Sequence, residues 1–172
     1  MNLQKIFSVA LVIVILITSF LMIRHRKAER LINFSELVEQ GNVNDLSLTI
    51  YYFSILKTAH FMSIDDLIGG RYDYKIVVDG ISLEEHIDLL KQINDAILIP
   101  VAEESRIHAV LYYVFENNQT GETFSVALYG RNESMFVNGI EIEENHIFYD
   151  VIMPFLPEQA IQELQSLMNR ET

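Results

Sequence analysis

The sequence predicts an α+β fold: an N-terminal transmembrane helix, then a mainly antiparallel sheet of about five to six strands that meanders in its C-terminal half, with helices packed on it. Three observations carry this expectation. Residues Ile6 to Ile23 are eighteen consecutive positions without a formal charge, nearly all Val, Ile, Leu, Phe, Met or Ala. Beyond residue 45 the apolar residues switch to two-residue spacing, the period of a half-buried strand. Asn138-Gly139 lies between apolar flanks, the strongest short-range hairpin signal.

The apolar run is long enough to span a bilayer. At ~1.5 Å rise per residue, eighteen residues cover roughly 27 Å, close to the ~30 Å hydrocarbon thickness. A cleaved export signal would have a shorter run and end in small residues, whereas Thr18-Ser19-Phe20-Leu21-Met22-Ile23 leads straight into Arg24-His25-Arg26-Lys27. With no cysteine to carry a diacylglycerol, a lipid anchor is excluded. Residues 1–30 are therefore expected to be an anchor with a basic flank that places the lipid bilayer against Ile6 to Ile23, and residues 31–172 a single globular domain.

Two arguments about sidedness oppose each other. Arg24, Arg26, Lys27 and Arg30 follow the span while Lys5 and the α-amino group precede it, which by the positive-inside rule retains the body in the cytoplasm. A span starting at residue 6 resembles an export-type anchor, and long domains translocate largely regardless of charge. The expectation taken forward is an extracytoplasmic body. Residues 31–172 carry seven Lys or Arg against twenty-three Asp or Glu, a net of −16. A body of that charge repels polyanions, so nucleic acid is excluded as a partner, and an envelope protein is the partner class taken as the expectation. The lack of cysteine also removes disulfide scaffolds, zinc ribbons and thiol nucleophiles.

Along the body, Leu31 to Gln40 predicts a short helix ended by Gly41-Asn42, residues that tolerate the left-handed conformation. Leu46 to Phe53 predicts a strand with Leu46, Leu48, Ile50 and Tyr52 inward, and Tyr72 to Asp79 a second with Tyr72, Tyr74, Ile76 and Val78 inward. Gly80 stops that strand, and Ser82 with Glu85 forms a capping-box pattern. The helix it opens carries Leu83, Ile87, Leu90 and Ile93 or Asn94 on one stripe, and Pro100 closes the region. Ile107 to Glu116 is apolar on both faces, as a central strand requires. Residues 117–121 turn into the alternating strand Glu122 to Gly130, and Met135 to Ile142 is a hairpin with Asn138 and Gly139 as its structural turn. Pro157 opens a last helix with Ile161, Leu164, Leu167 and Met168 on one face.

Few side chains are spaced for chemistry. The five histidines, His25, His60, His86, His108 and His146, are scattered singly with no H-E-x-x-H spacing, so no metal is expected. Adjacent helix positions diverge by about 100°, which separates Glu85, His86 and Asp88. Asp65-Asp66, Glu103-Glu104 and Glu141 with Glu143-Glu144 lack the alternating pattern of a calcium loop and read as solvated surface. Gly69-Gly70 lacks the strand-to-helix context of a phosphate loop, and no cofactor is expected. Ser63, Ser125 and Ser134 lack a G-x-S-x-G elbow. His146, Tyr149 and Asp150 read as packing at a sheet edge.

Tyrosine is the most suggestive residue type: eight occur, with no tryptophan, and most fall in strands. Aromatics favour strands in any case, yet tyrosine on a sheet face also offers large, rigid contact area at low entropic cost. Tyr51, Tyr112 and Tyr129 are the candidate interaction surface.

The hairpin Phe136 to Ile142 followed by Phe148-Tyr149-Asp150-Val151-Ile152-Met153-Pro154-Phe155-Leu156-Pro157 resembles the C-terminal signature of small membrane-anchored or exported proteins of Gram-positive bacteria, a family of unknown function. The resemblance implies an α+β extracytoplasmic domain and supplies no catalytic residue. The function expected from the sequence is a membrane-anchored, non-enzymatic interaction or sensing domain at the cell envelope. An envelope hydrolase using a carboxylate pair is the alternative, because separation in space decides whether two carboxyls cooperate.

Overall fold

Strand formation follows the two-residue spacing. The computed structural model describes Phe34, Leu37 and residues 43–57, 62–101, 108–129 and 134–168, all within the unit Asn33–Thr172. Among these residues six strands form one antiparallel sheet: β1 (Leu46–Tyr52), β2 (Tyr74–Val78), β3 (Ala109–Asn117), β4 (Thr123–Tyr129), β5 (Ser134–Val137) and β6 (Ile140–Glu143). Their order is β2-β1-β3-β4-β5-β6, so β3 to β6 are the meander anticipated in the C-terminal half. Helices α1 (Ile64–Ile68), α2 (Gly80–Glu84), α3 (Ile87–Leu90), α4 (Ile147–Asp150) and α5 (Glu158–Met168) complete an α+β domain. The span expected at Ile6 to Ile23 lies outside the described residues; among those described, no helix is long and apolar enough to cross a membrane.

One sheet face is the core. Leu46, Leu48, Ile50 and Tyr52 of β1 are all buried, with Tyr113 and Phe115 beside them on β3 and Phe124 and Val126 on β4. Phe34 is helical and fully buried, its ring edge-on to Phe115 at 5.0 Å and to Phe124 at 5.2 Å, and Phe148 of α4 stacks on Phe124. Offset and edge-on geometry satisfies the ring quadrupoles. The Tyr113 hydroxyl, deep in this core, donates to the Phe148 carbonyl at 2.9 Å.

Several boundaries differ from expectation for identifiable reasons. The second strand begins at Tyr74, not Tyr72, and its burial is partial because it is an edge strand. Asp79, not Ser82, caps the following helix: the Asp79 side chain accepts from the Ser82 N–H at 2.9 Å. Gly80 thus becomes the first helical residue, buried where a Cβ would collide with the Val43 carbonyl oxygen and lie 2.5 Å from the Asn44 Cα. The stripe Leu83, Leu90 and Ile93 is buried, but the helix breaks into α2, α3 and the 3-10 segment Lys91–Asp95. Helix α1 was not expected at all. Ser63 caps it in a true capping box with Asp66, so one candidate nucleophile and one candidate calcium ligand are the two halves of a helix start.

The turns are as expected. Asn117 is buried and its side chain accepts from the Gln119 and Thr120 N–H groups, a local turn that asparagine supplies by itself. Asn138 and Gly139 adopt φ of 48° and 77°, the doubly positive pair that a type I′ hairpin needs. In α5 the chain enters through Pro157, whose carbonyl accepts from the Ile161 N–H. The buried stripe is Ala160, Glu163 and Leu164, with Ile161 only half-buried. Leu164 of the expected stripe is buried, the side chains of Leu167 and Met168 lie outside the described residues, and a glutamate sits on the core side.

Candidate functional site

The second face of the sheet is only half covered. Tyr51 and Tyr112 are direct cross-strand partners, their rings stacked at 6.2 Å. Tyr72, just before β2, meets Tyr51 edge-on at 5.7 Å, and the Lys75 ammonium stands 5.3 Å from the Tyr51 ring centroid, within cation–π reach. Tyr72 thus joins this face instead of pointing to the core, because the alternation of β2 starts only at Tyr74. Helix α1 closes one half of the face: Met62 and Leu67 pack with Ala109, Ala127 and Phe136, and Tyr51, Phe53, Ile64 and Tyr112 lie against them. Burial pushes the Tyr112 hydroxyl up, a hydrogen bond with Ser125 opposes that, and the neighbouring Tyr51 adds to it. The structure brings Tyr51 and Tyr112 together. Tyr129, at the end of β4, pairs through its backbone with Ala109, and its side chain lies outside the described residues.

A polar cluster on the core side escaped the sequence reading. Glu163, 8% exposed, accepts at Oε2 from the Tyr52 hydroxyl (2.7 Å), the Ser54 hydroxyl (2.8 Å) and the Ile55 N–H (3.2 Å). Its Oε1 accepts from Gln159 at 3.0 Å. Gln159 sits one helical turn earlier on α5 and its side-chain Oε1 accepts from the Tyr74 hydroxyl at 3.3 Å. Burial alone would raise the Glu163 carboxyl, but the donors from Tyr52, Ser54, Gln159 and Ile55 outweigh it and hold the group below its ordinary value. Burial likewise drives the Tyr52 phenol strongly upward, reinforced by its bond to Glu163 and that carboxylate's charge. The proton therefore stays on the phenol.

Asp73 adjoins this cluster through Ser54, whose N–H donates to it at 2.8 Å, while Lys57 forms an ion pair with the other Asp73 oxygen. Burial raises the Asp73 carboxyl, and the Lys57 and Ser54 donors more than offset that; Lys57 in turn is raised first by its bond to Asp73. The signal that could have located the cluster is Tyr52. An inward tyrosine at a strand end needs an acceptor for its hydroxyl, and Glu163 is the acid that the α5 stripe carries inward.

Chemically this is a static hub. A carboxylate pair that hydrolyses needs one member protonated near neutral pH, and Asp73 and Glu163 are both held deprotonated. Ser54, which bridges them, is 3% exposed and its hydroxyl donates to Glu163.

The other candidates resolve into structural roles. His86 lies edge-on to Phe155 at 5.0 Å. His146, Tyr149 and Asp150 fall at the start of and within α4, not at a sheet edge, with Tyr149 buried and His146 and Asp150 exposed. Glu141 is not solvated surface: it is 3% exposed and accepts from the Ser134 hydroxyl at 2.6 Å. The Ser125 N–H donates to the Asn138 side chain, locking β4 to the hairpin turn. Among the described residues no group of three His, Asp or Glu is arranged to hold a metal ion. Compared with protein-family models, with curated proteins and with solved structures, the chain matches none in any of the three.

Proposed function

We propose that this chain is a single-pass membrane protein, anchored through Ile6 to Ile23, whose acidic α+β domain acts outside the cytoplasm as a non-enzymatic interaction or sensing module. The observation that carries the reading is the contrast between the two faces of the sheet. One is sealed by helices, while the other leaves the Tyr51–Tyr112 stack half-open beside Tyr72 and Lys75. Rigid aromatics with one polar end suit a contact surface. The length of the apolar run supports the anchor. The likeness of residues 136–157 to Gram-positive envelope proteins favours the outer side, and an envelope protein is the partner class that suits it.

The hydrolase alternative rests on Asp73 and Glu163 meeting at Ser54. It is the weaker reading because both carboxyls are spent on fixed donors. A photo-reactive phenylalanine analogue placed at Tyr51 or Tyr112 of the full chain in living cells tests the interaction face. Adducts to one envelope protein from both positions, and none from a probe at the exposed Ile97, are expected. Adducts from Ile97 alone, or none from either tyrosine position, would remove the face from the account.

A further inference from the structure

The sheet has two edges, and the chain treats them differently. The outer edge of β6 is occupied: the Glu143 N–H donates to the Ile99 carbonyl at 2.8 Å, the Val101 N–H donates to Glu141 at 3.3 Å, and Pro100 bridges to Ile142. The outer edge of β2 has no strand beside it among the described residues. Its backbone polarity follows from β1. The Phe53 N–H donates to the Val110 carbonyl, and the Asp45 carbonyl accepts from the Asn118 N–H, so odd-numbered residues of β1 turn their polar groups toward β3. Even-numbered ones turn toward β2, as the bond from the Asp73 N–H to the Tyr52 carbonyl agrees. Through the register Ile50↔Ile76 and Leu48↔Val78, Tyr74, Ile76 and Val78 bond inward. Lys75 and Val77 therefore present their N–H and C=O groups outward.

We propose that this edge pairs with the same edge of a second copy, antiparallel and with the two-fold axis at Val77. A lysine on an edge strand ordinarily deters pairing. In this register Lys75 lies opposite Asp79 of the other copy, twice by symmetry; Lys75 and Val77 share the half-open face through their pairing with Tyr51 and Thr49, and Asp79 follows the strand end, where its carboxylate also accepts from the Ser82 N–H. Val77, 65% exposed, meets its own counterpart on the axis and exchanges both backbone hydrogen bonds with it, as an isologous contact requires. A register shifted to centre on Ile76 would instead set Asp73 against Asp79, so charge selects the Val77-centred one. The net charge of −16 on each body opposes approach, but at physiological ionic strength that repulsion is confined to about 8 Å. The pairing uses the sheet edge, not the tyrosine stack, and does not depend on the anchor or its sidedness.

The chain has no cysteine, so Val77→Cys in the purified full chain introduces its sole thiol, on the axis. A short bifunctional thiol reagent is expected to give severalfold more covalent dimer from this variant than from Ile97→Cys, an equally open position at 78% exposure. Adding Lys75→Glu, which faces Asp79 with like charge twice, is expected to abolish the excess, while circular dichroism shows the fold retained. Equal cross-linking at positions 77 and 97, or an excess that survives Lys75→Glu, overturns the pairing.

Discussion

Glu163 shows how much one side chain can organise when its acceptor sites are filled. Replacing it with alanine removes the acceptor of the Tyr52 and Ser54 hydroxyls, and buried donors without acceptors cost about 1 to 3 kcal/mol each before water relieves some of the loss. Glu163→Ala is expected to lower unfolding free energy by about 2 to 4 kcal/mol in a denaturant titration. The charge adds a pH dependence. The Glu163 carboxyl is depressed from 4.5 and that of Asp73 from 3.8, so just below those values the unfolded chain binds protons that the native one does not. Their stabilisation is complete above about pH 4.5 and is lost as pH falls through the depressed native values. Glu163→Gln is expected to flatten the acid limb of the melting midpoint against pH, leaving the Asp73 contribution. A limb of unchanged slope would show that Glu163 is not ionised in the folded protein.

Elements were legible where one local rule acted alone. The β1 alternation, the Asn117 turn and the Asn138-Gly139 hairpin each follow from spacing or from a backbone preference, and each formed as expected. Gly139 tests the last: its Cβ position meets nothing within 4 Å, so substitution meets only backbone strain at φ 77°. Gly139→Val is expected to cost about 1 to 3 kcal/mol, read from a thermal melt of the full chain; an unmoved midpoint would remove the hairpin. Where two rules competed, the sequence misled. Both Asp79 and Ser82 are good caps, and the close approach of Gly80 to Val43 and Asn44 decides for Asp79. Asp79→Ala is expected to lower the melting midpoint, and Ser82→Ala to leave it unchanged. Helix α1 was hidden because Ser63 and Asp66 look like surface polar residues until the capping geometry joins them.

At the scale of the whole domain, the class and the meander were readable from periodicity, but the site was not. Tyr51 and Tyr112 could be named from the sequence as tyrosines within expected strands, and register then set them face to face. Glu163 could not, because its meaning depends on Tyr52, a residue 111 positions away. Glu141 was misplaced on the surface for the same reason, its burial being a property of the sheet and not of the local run of acids. The same sheet decides which acids fold inward: Glu163 and Glu141 are acids for which other elements supply donors.

The central claim, an anchored domain facing outward, is open to one direct measurement on the full chain. Ile97→Cys places a single thiol at an exposed position in a protein that otherwise has none. Intact cells are treated with a membrane-impermeant maleimide, washed, and fractionated by alkaline carbonate. The protein is expected in the membrane pellet and labelled before lysis. Labelling only after lysis would turn the domain to the cytoplasm, and recovery of the protein in the soluble fraction would contradict the anchor itself.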